Sequence, residues 1–156
     1  MMCVYVETNN VMKKLLIAVI TSSLVFGLGA APARAADKED DQEAHFKKRA
    51  DQINTAAKKP GVMQVALKTI SVETGVPLEK VRLHHQRHPE LGAAGLLLAN
   101  VMAAETKKPP AEFLKDRQSG EGWLAIAREN KVPIEKLNVR LDNLWKAIVP
   151  AAEKRG

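Results

Sequence analysis

The sequence predicts an all-α protein, and three observations predict it. Ala, Lys, Leu and Glu dominate the chain beyond residue 35, all good helix formers. Apolar residues recur at spacings of three and four, and no stretch alternates with the period of two that a strand needs. Proline and glycine cut the chain into short segments of helical length. The expected architecture is a compact bundle of short helix–turn–helix repeat units, preceded by an N-terminal amphipathic helix.

The chain begins with a segment expected not to belong to the bundle. Lys13-Lys14 precede an apolar run from Leu15 to Ala31, and Ala33-Arg34-Ala35 follows as a small-x-small site. A charged start, an apolar middle and such an end describe a cleavable signal peptide over 1–35. Thr21, Ser22, Ser23, Gly27 and Gly29 interrupt the run, which suits a permanent membrane span poorly. Residues 1–11 carry Glu7 where signal peptides are basic, so Met12-Lys-Lys is the expected start and 1–11 a start-site misassignment. Export to the periplasm or exterior follows, with no permanent span after cleavage. The only cysteine is Cys3, so the exported part has no disulfide and no thiol chemistry. Without Lys13, Lys14, Arg34 and Glu7 the chain keeps 21 basic and 17 acidic residues, a net charge of +4. That mixed charge suits a solvated surface rather than a polyanion binder.

Residues 36–61 read as an acidic lead-in, Asp37–Asp41, followed by an amphipathic helix. Phe46, Ala50, Ile53 and Ala57 fall on one helical face, and Lys59-Pro60-Gly61 ends it. Whether this arm packs on the body is left open by periodicity. The repeat domain, 62–150, starts with a helix over Val62–Thr74 that turns Met63, Ala66, Leu67 and Ile70 inward and stops at Gly75. Pro77 restarts a helix from a first-turn position, running through Val81 and His85 toward His88, and Pro89 stops it. Glu90–Glu105 is apolar on most sides and reads as the central buried helix. Its Gly95, Ala99 and Ala103 make a smooth stripe for close packing. Pro109-Pro110 open a short helix, Ala111–Gln118, which Ser119-Gly-Glu-Gly122 breaks. Trp123, Ile126 and Ala127 form the next inward face, and Ile134, Leu137, Leu141, Leu144 and Ile148 continue it beyond Pro133. Pro150 is expected to end the last helix, leaving a charged tail at 151–156.

Part of this pattern occurs twice. Ile70-Ser-Val-Glu-Thr-Gly-Val-Pro-Leu-Glu-Lys-Val81 aligns with Ile126-Ala-Arg-Glu-Asn-Lys-Val-Pro-Ile-Glu-Lys-Leu137, with six of twelve positions identical. Glu105–Leu114 is a weaker third copy with one residue inserted. Each unit alone leaves an apolar face exposed, so stacking units is what would build the core. The segment Leu98–Leu137, with Gly120-x-Gly-Trp-x-x-Ile-Ala127, resembles a group of small secreted bacterial helical proteins that carry this motif. The resemblance implies location and fold rather than an activity. Ile126–Ile148 is also similar to the helix–turn–helix of transcriptional regulators, but departs from it at Pro133, where those proteins carry serine or threonine.

Four groups of residues are candidates for function. Gly120, Gly122 and Trp123 read either as a ligand loop walled by an indole or as a tight turn with a core anchor; the scarcity of aromatics favours the anchor. His84 and His88 lie four apart and would share a helix face, a spacing that chelates a divalent metal, yet two imidazoles leave a tetrahedral site incomplete and Arg87 opposes a cation. The alternative is a surface histidine cluster, with His45 remote from it. Basic pairs such as Lys58-Lys59 and Lys107-Lys108 lack aromatic platforms, so no nucleic acid is expected. Catalysis finds little: Ser71 and Ser119 are the only serines beyond residue 35 and neither sits in a nucleophile elbow. No cofactor is expected. The leading expectation is a non-enzymatic module that binds an envelope protein, a peptide or its own copy, with Pro77, Pro133 and Ile126 as structural members of the motif. The runner-up is a periplasmic metal-binding protein using His84 and His88.

Overall fold

The computed structural model describes residues 33–154. The expected start at Met12 and the apolar run of the expected leader lie outside them, as do Arg155 and Gly156. Among the described residues there are seven α-helices, one 3₁₀ turn and no strand: α1 (Ala33–Ala57), α2 (Val62–Thr74), α3 (Leu78–Arg87), the 3₁₀ turn Pro89–Leu91, α4 (Gly92–Thr106), α5 (Pro110–Gln118), α6 (Trp123–Glu129) and α7 (Ile134–Glu153). None of these helices is long and apolar enough to cross a membrane.

α4 is the hub. Ala93 to Met102 are buried without interruption, because the segment is apolar on every side and gains most when surrounded. Every other helix touches it. Around it α1 and α7 make the most extensive helix pair, with α2 beside α7. The face foreseen on α1 is the one used: Phe46, Ile53 and Ala57 are buried and Ala50 is half-buried against the core. α1 therefore packs along the body. It also extends further back than expected, so that residues 38–41 lie on helix with exposed side chains rather than in a frayed lead-in. Opposite them α6 supplies Arg128, which bonds Glu39 at 3.3 Å and also pairs with Glu43.

Three corners share one backbone design. α2 ends on Gly75 at φ 68°, α4 on Lys107 at φ 59°, and Lys131 after α6 has φ 56°. Two residues after each stands a proline, Pro77, Pro109 or Pro133, with φ between −53° and −66° and ψ between 132° and 141°. The left-handed residue ends one helix and the extended proline, with no N–H to leave unpaired, turns the chain into the next. The corner after α4 matches the other two without the inserted residue that sequence alignment required. Pro77 and Pro133 stand at the N-caps of α3 and α7, one position outside the first-turn place expected of Pro77. Their carbonyls accept from Val81 and Leu137 at 3.1 and 3.4 Å.

Pro150 does not end α7. It sits inside the helix, which runs on to Glu153 and buries Ala152 against the core. One backbone hydrogen bond is forgone there, and residues 151–153 of the expected tail are helical.

Candidate functional site

The surface opens at the glycine–tryptophan motif, as it also does over Trp145 and Val149 between α1 and α7. α5 ends at Gln118 and the chain reverses through Gly120, whose φ of 102° suits only glycine. Gly122 is different. It has an ordinary extended backbone at φ −75°, and a Cβ there would meet no atom within 4 Å. Gly120 is thus a turn glycine, and Gly122 is an open edge that caps α6 by accepting from the Ile126 N–H at 3.0 Å. Ile126 and Ala127 are fully buried beneath α6.

Trp123 is half-buried rather than enclosed. Its six-membered ring lies across the small-residue stripe of α4: a Cβ built on Gly95 would stand 3.2 Å from Cζ2. Two clefts share Trp123, Ala50 and Asp51 as walls. One, of about 450 Å³, runs between α1 and α4 to the end of α5, over Leu91, Gly95 and Leu98, with Arg117 and Gln118 at its margin. The other, of about 530 Å³, lies over Phe46 and Leu124, with Gly122 at its edge. Clefts of this size that combine apolar surface with convergent polar groups are the kind of space small-ligand sites occupy.

The charges around the clefts are unequal in their commitments. Arg128 and Lys47 are paired with Glu43. Glu90 bonds the Nδ1 of His88 at 3.3 Å. Asp51 has no hydrogen-bond or ion-pair partner among the described residues, and Arg117 has no carboxylate partner there, its Nη1 donating to the backbone carbonyl of Glu121 at 2.9 Å. Nearby, the Glu121 carboxyl is raised above its ordinary range, first by the Glu129 charge, with Asp116 acting the same way.

His84 and His88 flank the end of α3: the helix stops at Arg87, and His88 is its C-cap at φ −135°, ψ 59°, its N–H still donating to the His84 carbonyl at 3.0 Å. The partner of His88 is Glu90. The Nδ1 of His84 is buried without a partner, as is the Oδ1 of Asn100 on α4. Burial first, then the charges of His88 and Arg87, holds the His84 ring below its ordinary pKa, with the Asn100 amide opposing them. Among the described residues no group of three or more His, Cys, Asp or Glu side chains could hold a metal ion.

His45 forms a separate polar seam between α1 and α7. Its Nε2 lies 3.1 Å from Asp142, whose Oδ1 also accepts from Arg49 Nε at 2.6 Å. The Arg49 guanidinium then lies 5.3 Å from the Trp145 ring centroid. The cleft beside His45 is lined by Lys48, Arg49 and Gln52, with no hydroxyl or thiol. Both serines are occupied elsewhere, Ser71 donating to the Val76 carbonyl at 2.6 Å and Ser119 to that of Asp116 at 2.7 Å.

Sequence reading found Trp123 and its glycines but missed the α1 wall of the clefts and the His45–Asp142–Arg49 seam. Their residues are far apart in the chain, and each alone looks like ordinary helix surface. No protein-family model, no curated protein and no solved structure matches the chain.

Proposed function

We propose that the chain is an exported, non-enzymatic binding module of the bacterial envelope, and that the clefts meeting at Trp123 are its recognition surface. The observation that carries this reading is the placement of the indole. A ring serving only as an anchor would be enclosed, whereas Trp123 lies on α4 with one part and walls two open clefts of mixed polar and apolar lining with the rest. Gly122 adds to it, since the motif keeps a side chain away from a position where the backbone has no need of glycine.

Several features support the wider reading. The apolar run and Ala33-Arg34-Ala35 support export and cleavage near Ala35. The three left-handed corners followed by proline support construction from repeated helix–turn–helix units, with α1 laid along them. Both serine hydroxyls bond backbone carbonyls, which takes them out of nucleophilic chemistry, and the His45–Asp142 pair faces no nucleophile. The partner is an envelope protein or peptide that lays an apolar side chain beside Trp123.

The test is photo-crosslinking in the native cell. A benzophenone side chain in place of Leu124, which lines the larger cleft, should yield a discrete adduct in the envelope fraction. The same probe in place of Val72, exposed on α2, should not. Equal labelling from both positions, or none from Leu124, overturns the assignment of the surface. Recovery of the protein in the cytoplasm with its leader uncleaved overturns the export.

A further inference from the structure

The smaller cleft carries opposite charges that do not neutralise each other. Asp51 stands on its α1 wall and Arg117 at the end of α5, and neither has an oppositely charged partner among the described residues. Between them lie the apolar floor of α4 and the side of the Trp123 indole. Two amide side chains complete the lining. Asn54 accepts from the Ala94 N–H with Oδ1 at 3.0 Å, which leaves its own N–H groups to donate, and Gln118 has neither end committed among the described residues. Glu90 at the same cleft is already bonded to His88.

From this arrangement we infer that the cleft binds a short free peptide as its zwitterion, the ammonium end toward Asp51 and the carboxylate end toward Arg117. This rests on the reading of the Trp123 clefts as a recognition surface and adds the class of ligand. The complementarity is specific. A neutral sugar can hydrogen-bond these groups but brings no counter-charge, a fatty acid leaves Asp51 unanswered, and a polyamine leaves Arg117 unanswered. A peptide of two or three residues offers both charges, an apolar side chain for the floor, and backbone amides for Asn54 and Gln118. A volume of about 450 Å³ is within the range of small-ligand sites. A guanidinium also meets a carboxylate in a planar fork that a lysine cannot match.

Trileucine, N-acetyl-trileucine and trileucine amide test the inference, with binding read from Trp123 fluorescence in a Trp145→Phe protein and from calorimetry. Trileucine should bind saturably. Acetylation and amidation should each weaken binding about fivefold, the scale of one partly exposed ion pair. Asp51→Asn should abolish the penalty for acetylation alone, and Arg117→Gln the penalty for amidation alone. Both positions are exposed, so thermal melts of the two variants should match the parent. Absence of saturable binding, equal binding of the blocked peptides, or penalties that persist in both variants overturns the inference. If Leu124 still crosslinks an envelope protein, this inference fails by itself. If it does not, the recognition surface fails with it.

Discussion

Gly95 and Trp123 should be energetically coupled, and the coupling measures how firmly the indole is held on α4. In an isolated helix Gly→Ala is favourable by about 0.8–1.0 kcal/mol. At position 95 the added methyl would stand 3.2 Å from Trp123 Cζ2 and 3.1 Å from Leu91 Cβ, so neighbours must yield by a few tenths of an ångström. Overpacking of this kind costs about 1–3 kcal/mol, and Gly95→Ala alone should destabilise by about 1 kcal/mol. Trp123→Ala removes a half-buried indole. A fully buried aromatic is worth about 3–5 kcal/mol on truncation, so a loss of about 2 kcal/mol is expected, below the value the enclosed anchor of the sequence reading would give. In the double variant the ring no longer opposes the methyl but Leu91 Cβ still does, so Gly95→Ala should cost about half as much. That is a coupling of about 0.5 kcal/mol, or about 2 °C in Tm for a domain of this size. Urea and thermal melts of the four proteins by circular dichroism provide the cycle. Additivity within about 0.3 kcal/mol would show that the indole does not rest on Gly95, and the description of the clefts would fall with it.

The corners give an independent test. Gly75→Ala should cost about 1 kcal/mol from backbone strain alone, since nothing lies within 4 Å of the new Cβ. Lys131→Gly at the matching corner should be neutral or stabilising by a few tenths, and urea midpoints of the pair check the opposite signs. His84 makes stability depend on pH. The unfolded ring titrates near 6.5 while the folded ring is held lower, so the unfolded state takes up the proton first. The His84 contribution is full above about pH 7 and declines as pH falls through 6.5. Thermal melts from pH 7.5 to 5 should therefore show a steeper decline for the parent than for His84→Gln. Asp142→Asn should lower stability by about 1 kcal/mol, because Arg49 loses its charged acceptor in a half-buried seam, and a urea melt reads it directly.

The sequence was legible where one local force dominated. α2 was placed at both ends because Pro60-Gly61 and Gly75 are punctuation that no neighbour overrides. α4 was legible because burial on every side leaves an apolar run with no polar face. Legibility ended where tertiary packing outweighed a local rule. Pro150 reads as a stop, yet burial of Ala152 against the core carries the helix past it at the loss of a single hydrogen bond. Lys107 and Lys131 reach the left-handed region that sequence assigns to glycine, held there by the proline-started helices that follow. The partner of His88 was not legible, since Glu90 meets it only across the turn that ends α3. The clefts were half visible, since the motif marked Trp123 but Asp51 and Arg117 become neighbours of one space only after folding.

The close pairing of α1 with α7 sets when this protein can acquire its shape. The first and last described helices are each other's chief partners, so a chain emerging from the ribosome without α7 has no cover for much of the apolar face of α1. Neither helix can be secured by its sequence neighbours alone, and the loop to be closed spans nearly the whole domain, an entropic demand that delays the final step. The full pairing of α1 thus waits until α7 has been made. Under the export proposed above, such lateness suits passage through a translocation channel, with the last helix as the latch that closes on the far side.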